Sequence, residues 1–138
     1  MKNLQLRFTN KDDYPELCNW WNWWRWKNSK PSLALLDNLK FGLMVSSEKG
    51  NNCAGFLYFT NARAFGLLEF IISNPDIKDK KERKEAQIFL INSLLVLAKK
   101  QGIKVVFSSL RNPNLKNTYK ECGFEEGSKN TTEMVFRL

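Results

Sequence analysis

Residues 65–101 read FGLLEFIISNPDIKDKKERKEAQIFLINSLLVLAKKQ. The opening run, Phe65 to Ile72, is apolar apart from Glu69, and Ser73-Asn-Pro75 ends it, which predicts a central strand. Asp79-Lys-Lys-Glu82 then has the Asp-x-x-Glu form of a capping box. Behind it Ala86, Phe89, Leu90, Leu94 and Leu97 recur at spacings of three and four, and Ile88, Ile91 and Leu95 widen the apolar face. This predicts a helix from about residue 79 to 101 packed closely on a sheet, with Lys99, Lys100 and Gly102 suiting its C-terminal end.

The flanks extend the pattern. Phe41–Val45 and Cys53–Phe59 enclose the polar stretch Ser46–Asn52 and predict an antiparallel hairpin. Leu4–Phe8 alternates and predicts a half-buried strand. Asp13-Tyr-Pro-Glu16 is a second Asp-x-x-Glu box, opening a helix that carries Leu17, Trp20, Trp21 and Trp24. Asn28-Ser-Lys-Pro31 breaks that helix, and Leu33–Leu39 suggests a second short one. Downstream, Val105–Phe107 predicts a short buried strand, Pro113 to Lys120 a helix ended by Gly123-Phe124, and Thr132–Leu138 a closing strand. No repeat, low-complexity tract or linker interrupts this order. It predicts one α/β domain over 1–138 with a mixed sheet.

Composition narrows the chemistry. With 138 residues, 43% apolar and 26% charged, the chain can build a core without staples. Three cysteines without a Cys-x-x-Cys pair argue against a disulfide framework or a structural zinc site. The absence of histidine removes the usual metal ligand and the usual general base, so no metal is expected. No apolar run nears the ~20 residues of a membrane span, and no signal-peptide core is evident, so a cytoplasmic location is expected. Lys plus Arg exceed Asp plus Glu by 22 to 14, a formal charge of +8 that favours anionic partners: a nucleotide-like cofactor, nucleic acid or an acidic protein surface. The densest basic cluster, Lys78 to Lys84, sits at the start of the long helix.

The stretch Asn112-Pro-Asn-Leu-Lys-Asn-Thr-Tyr-Lys-Glu-Cys-Gly-Phe124 resembles the late motif of the GNAT superfamily of acyl-CoA-dependent N-acetyltransferases. That motif has an Asn, a Tyr seven positions on, and a Gly-Phe pair ending the helix: here Asn112, Tyr119, Gly123 and Phe124. The element order fits the family over essentially the whole chain. The resemblance implies a twisted, mixed, mostly antiparallel sheet of six to seven strands flanked by about four helices. Ile71-Ile-Ser-Asn-Pro75 looks like the family's central strand end, which typically closes with Val-x-Pro. The pyrophosphate of acetyl-CoA would meet the N-terminus of the helix that follows. The family's Gln/Arg-x-x-Gly-x-Gly/Ala loop corresponds to Lys81-Glu-Arg-Lys84-Glu-Ala86, where Lys84 replaces the first glycine. A helix N-terminus already favours an anion, and Lys80, Lys81, Arg83 and Lys84 would supply by side chain what the glycine-lined backbone supplies.

The same resemblance gives roles to single residues. Glu69 falls where several members place a catalytic Glu, and burial would raise its pKa towards neutrality, as a base requires; the alternative is an outward-facing strand Glu paired with a lysine. Tyr119 matches the tyrosine that protonates the departing thiolate. Asn112 would touch the pantetheine arm, and backbone groups of Ile71, Ile72 and Ser73 would pair with it like an added strand. Ser108 and Ser109, after the Val105–Phe107 strand, are read as strand-end hydroxyls outside the catalytic set.

All five tryptophans lie between Trp20 and Trp26. They either form an aromatic subcore against Leu35, Leu36 and Phe41, or leave Trp23 and Trp26 exposed to receive an amine acceptor or a protein partner. Arg25 and Lys27 between them also resemble, weakly, a single-strand nucleic-acid surface. The leading expectation is an acetyl-CoA-dependent N-acetyltransferase acting on a primary amine of a small molecule or protein. The alternatives are a catalytically degenerate scaffold that binds protein, and a nucleic-acid-binding module. The C-terminal edge strand suggests a homodimer.

Overall fold

Three strands in sequence, β2 (Gly42–Ser47), β3 (Gly50–Phe59) and β4 (Phe65–Ser73), form the antiparallel centre of the sheet. These are the segments whose apolar runs are densest, and they are buried on both sides. The computed structural model describes residues 3–26 and 30–138. Its sheet has the order β1-β2-β3-β4-β5, with β1 (Gln5–Phe8) antiparallel to β2 and β5 (Val105–Phe107) parallel to β4.

Helix α1 (Tyr14–Trp23) covers one face of the sheet and helix α2 (Lys80–Lys100) the other, where α3 (Pro113–Glu121) packs against α2. On the α1 face Leu17, Trp20, Trp21, Leu36, Leu39, Met44, Ala54, Phe56 and Ile72 form one core. On the α2 face Leu43, Val45, Cys53, Leu57, Leu68 and Ile71 meet Ala86, Leu90, Ile91 and Leu94, as the helical spacing predicts. The hairpin and the central strand are as expected.

The architecture is smaller than expected. Among the described residues there are five strands and three α-helices, with single 3-10 turns at Lys11–Asp13 and Asp37–Leu39, in place of six to seven strands and about four helices. Thr132–Leu138 forms no strand and is exposed throughout; alternation supplies a strand pattern, not a partner. Leu33–Leu39 yields only turns and the one 3-10 turn. The strands β1 and β5 are exposed edges rather than half-buried or buried ones, with Phe8 65% and Phe107 54% exposed. The break expected at Asn28-Ser-Lys-Pro31 falls largely outside the described residues, as does Lys27.

The box expected at Asp13 does not form. Arg7 takes the Asp13 carboxylate in a bidentate pair, Nη2 to Oδ1 at 2.8 Å and Nη1 to Oδ2 at 2.9 Å, and holds it below the usual carboxylate range. The acid thus ties β1 to the start of α1.

Candidate active site

Strand β4 is not regular. Glu69 pairs with Phe56 and Ile72 with Ala54, so Phe70 and Ile71 together oppose Gly55. This bulge places Phe70 at φ +60°, in the left-handed region that a bulky L-residue rarely adopts. Its effect on direction is specific. Leu68 lies in the α2-face core; Glu69 shares the α1 face with its partner Phe56, and Phe70 packs on that face too; Ile71 returns to the α2 face and Ile72 to the α1 face.

At the same level β4 and β5 part. The parallel register runs Phe65–Val105, Gly66–Val106, Leu67–Phe107 and stops. Continued, it would bring Ser109 beside Glu69. Instead the Ser109 amide donates to Glu69 Oε2 at 2.9 Å, so a side chain stands where a backbone bond would have been. Glu69 is half-buried, and its pKa is pushed up to about 7. Burial is the main cause; the Ser109 amide opposes it, and the charge of Glu133 adds to it. Beyond this point Leu68–Ser73 has no strand neighbour on its β5 side among the described residues.

Tyr119 comes from the opposite layer. It is buried in the α2-face core, its ring tilted against that of Phe124 with centroids 4.7 Å apart, and its hydroxyl is 2.9 Å from Ser108 Oγ. Burial raises its pKa above the ordinary phenol value; the Ser108 bond acts the other way, and the charge of Glu69 lifts it further. Glu69 and Tyr119 therefore sit on different faces of the sheet and converge on consecutive residues, Ser109 and Ser108, at the parting. Sequence reasoning set these serines aside. No sequence signal marked them, because the β4–β5 register that leads to residue 109 is set by the fold.

The other expected residues are placed as follows. Ile71, Ile72 and Ser73 are buried on the upper part of β4. The Asn74 amide donates to the Asn52 carbonyl, so the Ser73 carbonyl points the other way, to the open edge, where Trp24 Nε1 donates to it at 2.8 Å. The Ser73 hydroxyl accepts from Gln87 Nε2 at 2.8 Å. Asn112 caps α3, its Oδ1 accepting from the amides of Asn114 and Leu115.

The α2 tip is occupied by protein groups. Asp79 Oδ1 accepts from the amides of Lys81 (2.9 Å) and Glu82 (3.4 Å), while Glu82 turns to Lys49 rather than closing the expected box. Arg83 Nη1 donates to the carbonyls of Ile77 (2.6 Å) and Lys78 (3.1 Å), and its guanidinium lies 5.9 Å from the Trp24 ring centroid. Lys84 pairs with Glu121 of α3. Of the four expected phosphate ligands, only the side chains of Lys80 and Lys81 have no hydrogen bond or ion pair among the described residues. Ala86 is fully buried against the sheet.

The tryptophans divide. Trp20 and Trp21 are core, Trp26 is half-buried with its ring 6.1 Å from that of Trp21, and Trp23 is 56% exposed. Trp23 lies edge-on to Trp24 at 4.7 Å and under the ammonium of Lys78 at 5.7 Å. It thus belongs to the α2 tip.

No protein-family model matches the chain, and no curated protein matches it in sequence. Solved structures do match in fold. An N-acetylglutamate synthase from Neisseria gonorrhoeae, complexed with coenzyme A and N-acetyl-glutamate, superposes with TM-score 0.72 at 15% identity over 96% of this chain. This chain spans 30% of the synthase's length. Ard1 from Thermoplasma volcanium gives TM-score 0.71 at 13% identity, covering 91% of this chain and 84% of that one. An aminoglycoside acetyltransferase from an uncultured soil metagenomic sample, complexed with trehalose, gives 0.67 at 12% identity, covering 98% and 96%. The fold is that of the GNAT acetyltransferases. No helix among the described residues is long and apolar enough to cross a membrane, and no group of three or more His, Cys, Asp or Glu that could hold a metal ion occurs among them.

Proposed function

We propose that this chain is an acetyl-CoA-dependent N-acetyltransferase acting on a primary amine of a small molecule or protein. The observation that carries the reading is the convergence of Glu69 and Tyr119 on Ser109 and Ser108 where β4 and β5 separate. The open edge of β4 beyond Leu67 fits an extended pantetheine arm, which would add like a strand beside Ile71 to Ser73. Lys80 and Lys81 are the side chains left to meet the diphosphate. Acetyl-CoA supplies the activated acyl group as a thioester.

This chain's residues supply the proton movements. Glu69, held near neutrality by burial, takes the proton from the attacking amine on the α1 face. Tyr119, kept protonated by its burial, gives a proton to the leaving sulfur from the α2 face. The C–N bond forms, the C–S bond breaks, and a proton passing from Glu69 back to Tyr119 resets the site. The two groups need not share a face, because the gap in the sheet is where the reacting atoms would lie. Tyr58 and Phe70, packed on the α1 face beside Glu69, would line the acceptor side.

A second reading rests on a specific observation. The Asp79 carboxylate caps the α2 tip, Arg83 and Lys84 have protein partners, and Trp24 occupies the Ser73 carbonyl. Those contacts suit a scaffold that has given up acetyl-CoA. Thermal unfolding with saturating acetyl-CoA separates the two. An enzyme is stabilised by mass action, by about 2.7 kcal/mol at a hundredfold excess over Kd, and releases thiol with an amine panel; a scaffold shows neither effect. The nucleic-acid reading gains no support, since Trp26 is half-buried and Trp23 is engaged with Lys78.

A further inference from the structure

The buried hydroxyl of Tyr119 has Ser108 Oγ as its hydrogen-bond partner among the described residues, at 2.9 Å. Either oxygen can donate in that pair. If Tyr119 donates, its proton is aimed at the protein and not at the parting of the strands. Once the phenol has given its proton away, a phenolate can only accept, so the serine must then be the donor. A serine that already donates at rest needs no rearrangement when charge develops on the phenol oxygen.

We propose that Ser108 is a positioning residue for Tyr119: its hydroxyl donates to the phenol oxygen, directs the phenol hydrogen into the gap between β4 and β5, and holds the phenolate left behind. This rests on the acetyltransferase reading of the same site. The step balances: the phenol O–H breaks, the sulfur–hydrogen bond forms, and Ser108 keeps its own proton throughout. The other groups acting on the phenol work against ionisation. Burial, the carboxylate of Glu69 on β4 and the thiol of Cys122 at the end of α3 all raise its pKa, and Phe124 adds only an apolar ring. The charges where α2 packs on α3, Lys84 and Glu121, neutralise each other. Among the described residues Ser108 is the neighbour that lowers the phenol's pKa.

The test compares Ser108→Ala and Ser108→Thr with the wild type. A hydrogen bond to a charged group is worth about 1.5–3 kcal/mol, so Ser108→Ala should lower kcat by roughly 10- to 100-fold. KM for acetyl-CoA should stay constant. Ser108→Thr should restore kcat. In a Tyr119→Phe background, Ser108→Ala should have no further effect on kcat. Unchanged kcat, a loss confined to KM, or a threonine variant as poor as alanine overturns the proposal. Carbon-13 NMR of the Tyr119 Cζ reads the contact without turnover. Ser108→Ala should shift that resonance at neutral pH, where burial keeps the phenol protonated, and an unmoved resonance overturns the proposal whatever the activity. A wild type that neither binds acetyl-CoA nor turns over, with this resonance behaving as expected, defeats the acetyltransferase reading alone.

Discussion

The indole of Trp24, at the end of α1, donates to the carbonyl of Ser73, 49 positions away on β4. That carbonyl faces the edge left open by the short β5, where an incoming arm would seek its own backbone partner. On the proposed function, the indole and the arm would compete for one acceptor. Trp24→Phe keeps a smaller aromatic ring near Arg83 and removes the donor, the lost hydrogen bond costing about 1 kcal/mol of stability. Calorimetry should find coenzyme A bound more tightly by this variant, because the closed edge no longer lowers the competent fraction. Weaker binding would mean that Trp24 assists the arm.

Glu69→Gln preserves shape and removes the proposed base. It should lower kcat by about 10²–10⁴-fold while leaving the fold intact by circular dichroism. In the wild type, kcat/KM should rise through pH about 7, where Glu69 ionises. An acid limb near the ordinary carboxylate range would assign the base elsewhere.

The same carboxyl links stability to pH, and the sign is opposite to that of a salt-bridged acid. Folding moves Glu69 from an ordinary 4.5 to about 7, so between these values the native chain holds a proton that the unfolded chain has released. Its stabilisation is complete below pH 4.5 and is lost as pH rises through 7. Denaturant midpoints followed across this window should fall less steeply in Glu69→Gln than in the wild type; parallel curves would contradict the shift.

At the α2 tip, Lys80→Ala/Lys81→Ala should weaken coenzyme A binding and flatten its salt dependence, since these two ammonium groups have no hydrogen bond or ion pair among the described residues. Arg83→Ala should instead lower thermal stability, by removing the bonds to the Ile77 and Lys78 carbonyls, with a smaller effect on ligand affinity. If Arg83→Ala proves the more damaging to binding, Arg83 must leave its loop when ligand arrives.

Gly55 opposes the bulge, and a larger residue there would have to displace side-chain ends of the α2-face core. A Cβ would run into the end of Ile71 and lie 3.3 Å from both Leu90 and Leu94. Gly55→Ala should destabilise the chain by about 1–3 kcal/mol in chemical denaturation. A neutral effect would show that the bulge yields readily.

What the sequence disclosed follows from which forces act locally. The hairpin, β4 and α2 were legible because each buries a periodic apolar face, and the cap at Asp79 is a contact between near neighbours. Whether a strand lies in the centre or at an edge is decided by distant partners, so β1 and β5 read as more buried than they are. The alternation of Thr132–Leu138 described a strand that found no neighbour. Basic side chains near Lys78 announced a positive tip, but not that Arg83 and Lys84 would be held by Ile77, Lys78 and Glu121. Asp13 offered a cap by its spacing, and only the fold brings Arg7 to claim it.

The kink at Phe70 also acts as a phase converter. Straightening it would move one half of β4 by one residue relative to β3, turning Ile71 towards α1, Ile72 towards α2, and the Ser73 hydroxyl away from Gln87. The strain held at one aromatic residue thus keeps two halves of a strand out of step: the lower half presents an acid to one layer, and the upper half turns the Ser73 hydroxyl to the other.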